Sequence, residues 1–186
     1  MQPTHPPARP LPPGLLRLGR WVRALVVLGV ATLCLVPPLF WASPGWVRAL
    51  GPVAAGLHGG LITVDARAQW LGAAASLPAV LLGLWTLGQL WQLFGEYSAG
   101  RVFGSNAHRH LRNLARGLLA LALLGPLQRT LTGLALTWGN PPRQRMLVLT
   151  LDWHDYLGVL TAAVLLAAAT VLAEAGRIAD ENDGFV

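Results

Sequence analysis

Of the 186 residues one alone, Cys34, is a cysteine, and none is a lysine. A single thiol admits no internal disulfide and no cysteine metal cluster. Lying in the middle of an apolar run, Cys34 reads as a small buried side chain. Without lysine there is no Gly-Lys-Ser/Thr phosphate loop. Charge is scarce as well: 12% of residues are charged against 54% hydrophobic, with eight tryptophans, which is not the composition of a soluble domain of this length. No Ser-His-Asp, nucleotide-binding or haem-binding pattern stands out, so no enzyme activity and no cofactor is expected.

What the chain has instead is four long, nearly charge-free apolar runs: Trp21 to Trp41, Trp70 to Phe94, Leu114 to Trp138 and Tyr156 to Ala173. Each approaches or exceeds the roughly 20 residues that cross a hydrocarbon core about 30 Å thick. The expected fold is an all-α membrane protein, a four-transmembrane-helix bundle over residues 21–177. It carries a Pro-rich tail (1–20) before it and an acidic tail (178–186) after it. The first run is long for a signal-peptide core. Phe40 and Trp41 crowd a cleavage point at Ala42, and Leu33 before Cys34 spoils a lipoprotein-type acylation site, so the run reads as a retained span. Pro37-Pro38 are expected to kink or end it, with Trp41 and Trp46 anchoring the interface beyond.

All fourteen basic residues are arginine, through genome composition or through a preference for multidentate contacts with carboxylates and phosphates. Four spans place both termini on one side. That side holds nine arginines (Arg9, Arg17, Arg20, Arg23, Arg101, Arg109, Arg112, Arg116 and Arg177) against four (Arg48, Arg67, Arg143 and Arg145) on the other. By the positive-inside rule the termini are expected on the cytoplasmic side. The formal charge of +6 therefore suits anionic lipid headgroups, and direct nucleic-acid binding is not expected. On the opposite side, Leu61-Ile62-Thr63-Val64 and Met146-Leu147-Val148-Leu149-Thr150-Leu151 favour strands, and pairing them predicts a small extracytoplasmic β element.

Polar residues within the spans mark the candidate sites. Gln89, Gln92 and Glu96 form one stripe at the end of the second run, and Arg109, Arg112 and Arg116 repeat the spacing at the start of the third. An antiparallel hairpin is expected to bring the stripes together, as a structural network or as a proton or ion route. Gln128, Arg129, Asp152 and Asp155 outline a polar cavity at the far side. There Asp155 suits either an ion pair with Arg129 or a helix cap with Asp152, and Asp65 and His154 join the group only if the fold converges on them. His108 and His110 lack the spacing of a helical metal pair and read as solvated or headgroup-facing, and no metal site is expected. Small residues at Ala75, Ala79 and Gly83, at Gly158 and Ala162, and at Ala163 and Ala167 allow close helix packing, within the chain or between copies in a homo-oligomer.

The elbow Tyr97-Ser98-Ala99-Gly100-Arg101-Val102-Phe103-Gly104-Ser105-Asn106, with Leu111-Arg112 after it, and the ending from Leu172-Ala173-Glu174-Ala175-Gly176-Arg177-Ile178 through Ala179-Asp180-Glu181-Asn182-Asp183-Gly184-Phe185-Val186 resemble the Domain of Unknown Function 2975 family, four-span bacterial membrane proteins. The resemblance extends from the first span onward. It implies an inner-membrane protein without an established activity, in families whose genes often neighbour a small helix-turn-helix regulator. The leading expectation is a non-enzymatic sensor or interaction protein. It would contact lipid or a soluble partner such as that regulator through Gly100, Arg101, Phe103, Arg109, Arg112, Asp180 and Glu181. The alternative is a small transporter or transporter subunit built around Arg129.

Overall fold

A computed structural model describes residues 13–57, 61–100, 104–141, 145 and 147–183. They form five helices: α1 (Pro13–Ala42), α2 (Pro44–Ala54), α3 (Ala66–Ser98), α4 (Ser105–Thr137) and α5 (Trp153–Asp183). Four helices contain segments long and apolar enough to cross a membrane: Arg17–Ala42, Ala66–Ser98, Asn106–Thr137 and Trp153–Ala175. The chain is an all-α, multi-pass integral membrane protein. The helices outrun the apolar runs. At about 1.5 Å per residue, the 33 residues of α3 or α4 extend about 50 Å, well beyond a hydrocarbon core of about 30 Å. Their ends therefore stand in the headgroup layers. One layer receives the start of α1, the α3–α4 elbow and the end of α5 (the terminal side), and the other receives α2 and the α4–α5 connection (the distal side).

Pro37 and Pro38 do not end α1, which continues to Ala42. Each proline removes a backbone donor, but tertiary bonds hold the last turn in place. Trp41 Nε1 donates to Ser76 Oγ at 2.9 Å, and Gln69 Nε2 donates to the Trp41 carbonyl at 2.8 Å. The Trp41 ring fills a notch over Gly72, where any Cβ would collide with it. Trp41 is thus a buried wedge, whereas Trp46 is the exposed interfacial residue.

The glycine-rich stretch after α1 is too short and broken to read as a span, yet local chemistry builds α2 there. Pro44 occupies the first turn, and Gly56 (φ 67°) closes the helix. The amide of Leu57 bonds to Pro52 O at 2.8 Å and that of Gly56 to Val53 O at 3.1 Å, a Schellman ending. Val47 and Gly51 face the protein, while Trp46, Leu50 and Val53 point outward at i, i+4 and i+7. An apolar outer face on a short helix between two spans is the pattern of an element lying in the membrane interface.

The expected β element does not form: there is no strand among the described residues. Both candidate stretches spend their hydrogen bonds on α4 instead. Thr63 N donates to Leu136 O at 2.8 Å, satisfying a carbonyl that the helix end leaves open. On the other stretch, Thr130 Oγ1 donates to Val148 O at 3.1 Å and Arg129 to Thr150 O at 3.2 Å. Asn140 completes the distal cap, accepting from Thr63 Oγ1 at 2.6 Å and donating to Leu61 O at 2.5 Å.

In space α3 and α4 form the central antiparallel pair, α1 packs on α3, α5 packs on α4, and α2 bridges α1 and α4. Buried apolar side chains gather in two clusters. Trp41, Val47, Ala55, Leu57 and Leu136 lie on the distal side, and Leu93, Ala107, Leu111, Leu114 and Ala169 lie towards the terminal side. Between them, small residues set the spacing. Gly117 admits Thr86, Gly83 faces Leu33, and Gly158 meets Ala122. A cleft of about 670 Å³ remains between α1, α3 and α4, lined among others by Leu28, Leu33, Val80, Leu87 and Leu121. Cys34 is exposed on α1 and is not part of either cluster.

Candidate functional site

Charge within the spans concentrates at Arg129, in the distal half of α4. Its guanidinium donates to Asp155 Oδ2 and, at 3.2 Å, to Thr150 O, while Asp152 Oδ2 lies 3.7 Å from its other terminal nitrogen. The side chains of Arg129 and Asp155 are 21% and 14% exposed, so this pair is shielded in a way that a solvated surface pair is not. Asp155 serves two purposes. Its Oδ2 also accepts from Asp152 N at 2.8 Å, the reach-back bond of a capping box at the start of α5. The cap and the ion pair, alternatives in the sequence, are one structure. Gly125 leaves the space, since a Cβ there would stand 3.2 Å from Asp155 Oδ1. The arrangement can fasten the 147–152 connection and the first turn of α5 to α4.

Of the four residues expected to outline a polar cavity, Arg129, Asp152 and Asp155 come together and Gln128 does not. It lines the apolar cleft between α1, α3 and α4. His154 is exposed, and Asp65 caps α3 by accepting from Ala68 N at 2.7 Å. No group of three His, Cys, Asp or Glu side chains among the described residues is placed to hold a metal.

On the terminal side the α3–α4 hairpin forms, and Gln89 of the first stripe takes part, but it meets His110 and Asn113 and not the arginine stripe. Gln89 Oε1 faces His110 Nδ1 at 3.0 Å and Asn113 Nδ2 at 3.4 Å. Gln92, Arg109, Arg112 and Arg116 are exposed. His110, expected at the headgroups, is buried. It lies one helical position from Arg109, and that rotation of about 100° turns it to the α3 side of the hairpin and the arginine outward. The signal was available in the sequence, since His110, Asn113 and Gly117 repeat on one face.

The family model described as a protein of unknown function (DUF2975) matches residues 54–186, from the last residue of α2 to the end of the chain. The chain belongs to this family. No curated protein and no solved structure matches it. The DUF2975 match covers α3, α4 and α5 with both of their connections, including Arg129 and Asp155, and it begins after α1, a shorter extent than the sequence resemblance suggested. Within the DUF2975 region the elbow turns at Gly100 (φ 77°), which is exposed. Arg101 and Phe103 lie outside the described residues. Asp180 and Glu181 belong to the last turns of α5, with side chains outside the described ones, so the acidic segment begins as helix and not as a free tail.

Proposed function

We propose that this DUF2975 protein is a non-enzymatic membrane sensor or interaction protein of a bacterial inner membrane, with its termini in the cytoplasm, that engages a soluble regulator at its terminal side. The observation that carries the reading is the continuity of α5. One helix of 31 residues, Trp153–Asp183, carries Asp155 of the distal latch in its first turn and ends at Asp183, about 42 Å from Asp155 at 1.5 Å per residue. A helix without an internal proline transmits a tilt or rotation along its length, and α5 has none. A change in the latch at one surface thereby moves the acidic end at the other. Asp180, Glu181 and Asp183 give that end the charge to meet a basic partner.

Transport through a polar cavity around Arg129 is the competing reading, and the geometry favours it less. Arg129 is engaged between α4 and α5, and the hydroxyls of Thr32, Ser76 and Thr86 at the cleft donate to their own helix carbonyls. The test is cross-linking in native membranes and mass spectrometry of what travels with the tagged full chain. Wild type is compared with Asp180→Asn/Glu181→Gln/Asp183→Asn and with Asp155→Asn. A soluble regulator whose recovery falls in the first variant and changes in the second is the expected result. Recovery of membrane subunits and lipid alone would overturn the proposal in favour of transport.

A further inference from the structure

Trp138, just past α4 on the distal side, has two guanidinium groups over its ring. Arg67, in the first turn of α3, stands 6.0 Å from the ring centroid and Arg145, from the α4–α5 connection, 5.3 Å. Both arginines are exposed, and among the described residues neither has a carboxylate within ion-pair distance. Arg145 donates from Nε to Asn140 O at 3.3 Å, and among the described residues its terminal nitrogens make no hydrogen bond. Together with Asp65, Ala68 and Gly139 they line a polar pocket of about 250 Å³. Two guanidiniums and the Asp65 carboxylate sum to one net positive charge, the complement of one phosphodiester.

The pocket does not end at the surface. Arg67, Leu71, Ala135 and Trp138 are shared with a second space of about 200 Å³, whose remaining lining is Ala75, Leu131 and Leu134. Its residues descend α3 from position 67 to 75 and ascend α4 from 131 to 138, so the furrow follows the helix pair about 12 Å inward at 1.5 Å per residue. Its character changes from charged to aliphatic along that path. A cationic head site at the depth of an interfacial tryptophan, continuous with an apolar furrow, has the polarity profile of a single amphiphile. Arginine forks match phosphate oxygens, and the furrow walls match methylenes.

We infer that Arg67, Arg145 and Trp138 hold the phosphodiester of a distal-leaflet glycerophospholipid whose acyl chain lies in the furrow between α3 and α4. The inference is independent of the signalling reading. The full chain, stripped of lipid by detergent exchange, is titrated with dioleoyl phosphatidylglycerol, dioleoyl phosphatidylethanolamine, dioleoylglycerol and inorganic phosphate, with bound ligand counted by native mass spectrometry. Both phospholipids bind at about one per chain. The tail-only and head-only probes bind at least about tenfold more weakly, because each meets half of the site. Arg67→Gln/Arg145→Gln lowers phospholipid occupancy about tenfold and Arg67→Lys/Arg145→Lys by less, while Arg48→Gln, at an exposed distal arginine on α2, changes nothing. Ala75→Trp, at the inner end of the furrow, excludes the chain without touching the head site. Equal occupancy in the glutamine variant and wild type, or diacylglycerol or phosphate binding as tightly as phospholipid, would overturn the assignment.

Discussion

At the scale of single residues, the Arg129–Asp155 pair is sensitive to substitution, since a shielded charge stripped of its partner is costly. Pairs that are fully buried lose about 3–5 kcal/mol when one member is removed. This pair is open towards Asp152, so Asp155→Asn is expected to cost about 2 kcal/mol, read as a lowered melting temperature in detergent. Replacing both charges at once, Arg129→Met with Asp155→Leu, is expected to cost less than the sum of the singles. An additive double variant would show that the two side chains do not act as a pair. Asp155 was legible as both a cap and an ion partner because its place ahead of an apolar run fits both. Gln128 was misjudged because neighbours in sequence differ by about 100° around a helix, enough to point one residue at α5 and the other at the cleft.

Among the elements, α2 and the two distal stretches carry the lesson that hydrogen-bond satisfaction outranks propensity. Leu61–Val64 and 147–151 have the composition of strands, but the end and flank of α4 offer carbonyls and donors first. Composition names what a segment is able to form, and only neighbours decide what it does form. The four long helices were legible because roughly 20 apolar residues leave few alternatives in a bilayer. Their true ends, up to ten residues beyond the apolar runs, were not, because polar flanking turns carry no hydropathic signal. The close of α2 gives a direct test. Gly56 has φ 67° and a Cβ there would lie 2.7 Å from Thr150 Oγ1, so Gly56→Ala meets both a left-handed backbone and a steric obstacle. A loss of about 1–2 kcal/mol is expected, with the distal 147–150 stretch becoming protease-sensitive first.

The whole molecule is organised as a central pair with one helix on each flank, and its sidedness is open to measurement. Cys34 is exposed on α1 and lies in the body of a span, so a membrane-impermeant maleimide is expected to leave it unlabelled in sealed vesicles and to label it after denaturation. In a Cys34→Ala background, cysteines placed at Ala99 and Pro141 are expected to react from opposite sides, Ala99 from the cytoplasm. Labelling of both from one side would refute the four-span topology. The packing has one more implication. Buried side chains are concentrated towards the two membrane surfaces, while the layer between them holds the cleft of about 670 Å³. The open volume therefore lies at the depth of the acyl chains, where lipid and not protein is the neighbour that can complete the packing the two rims make for themselves.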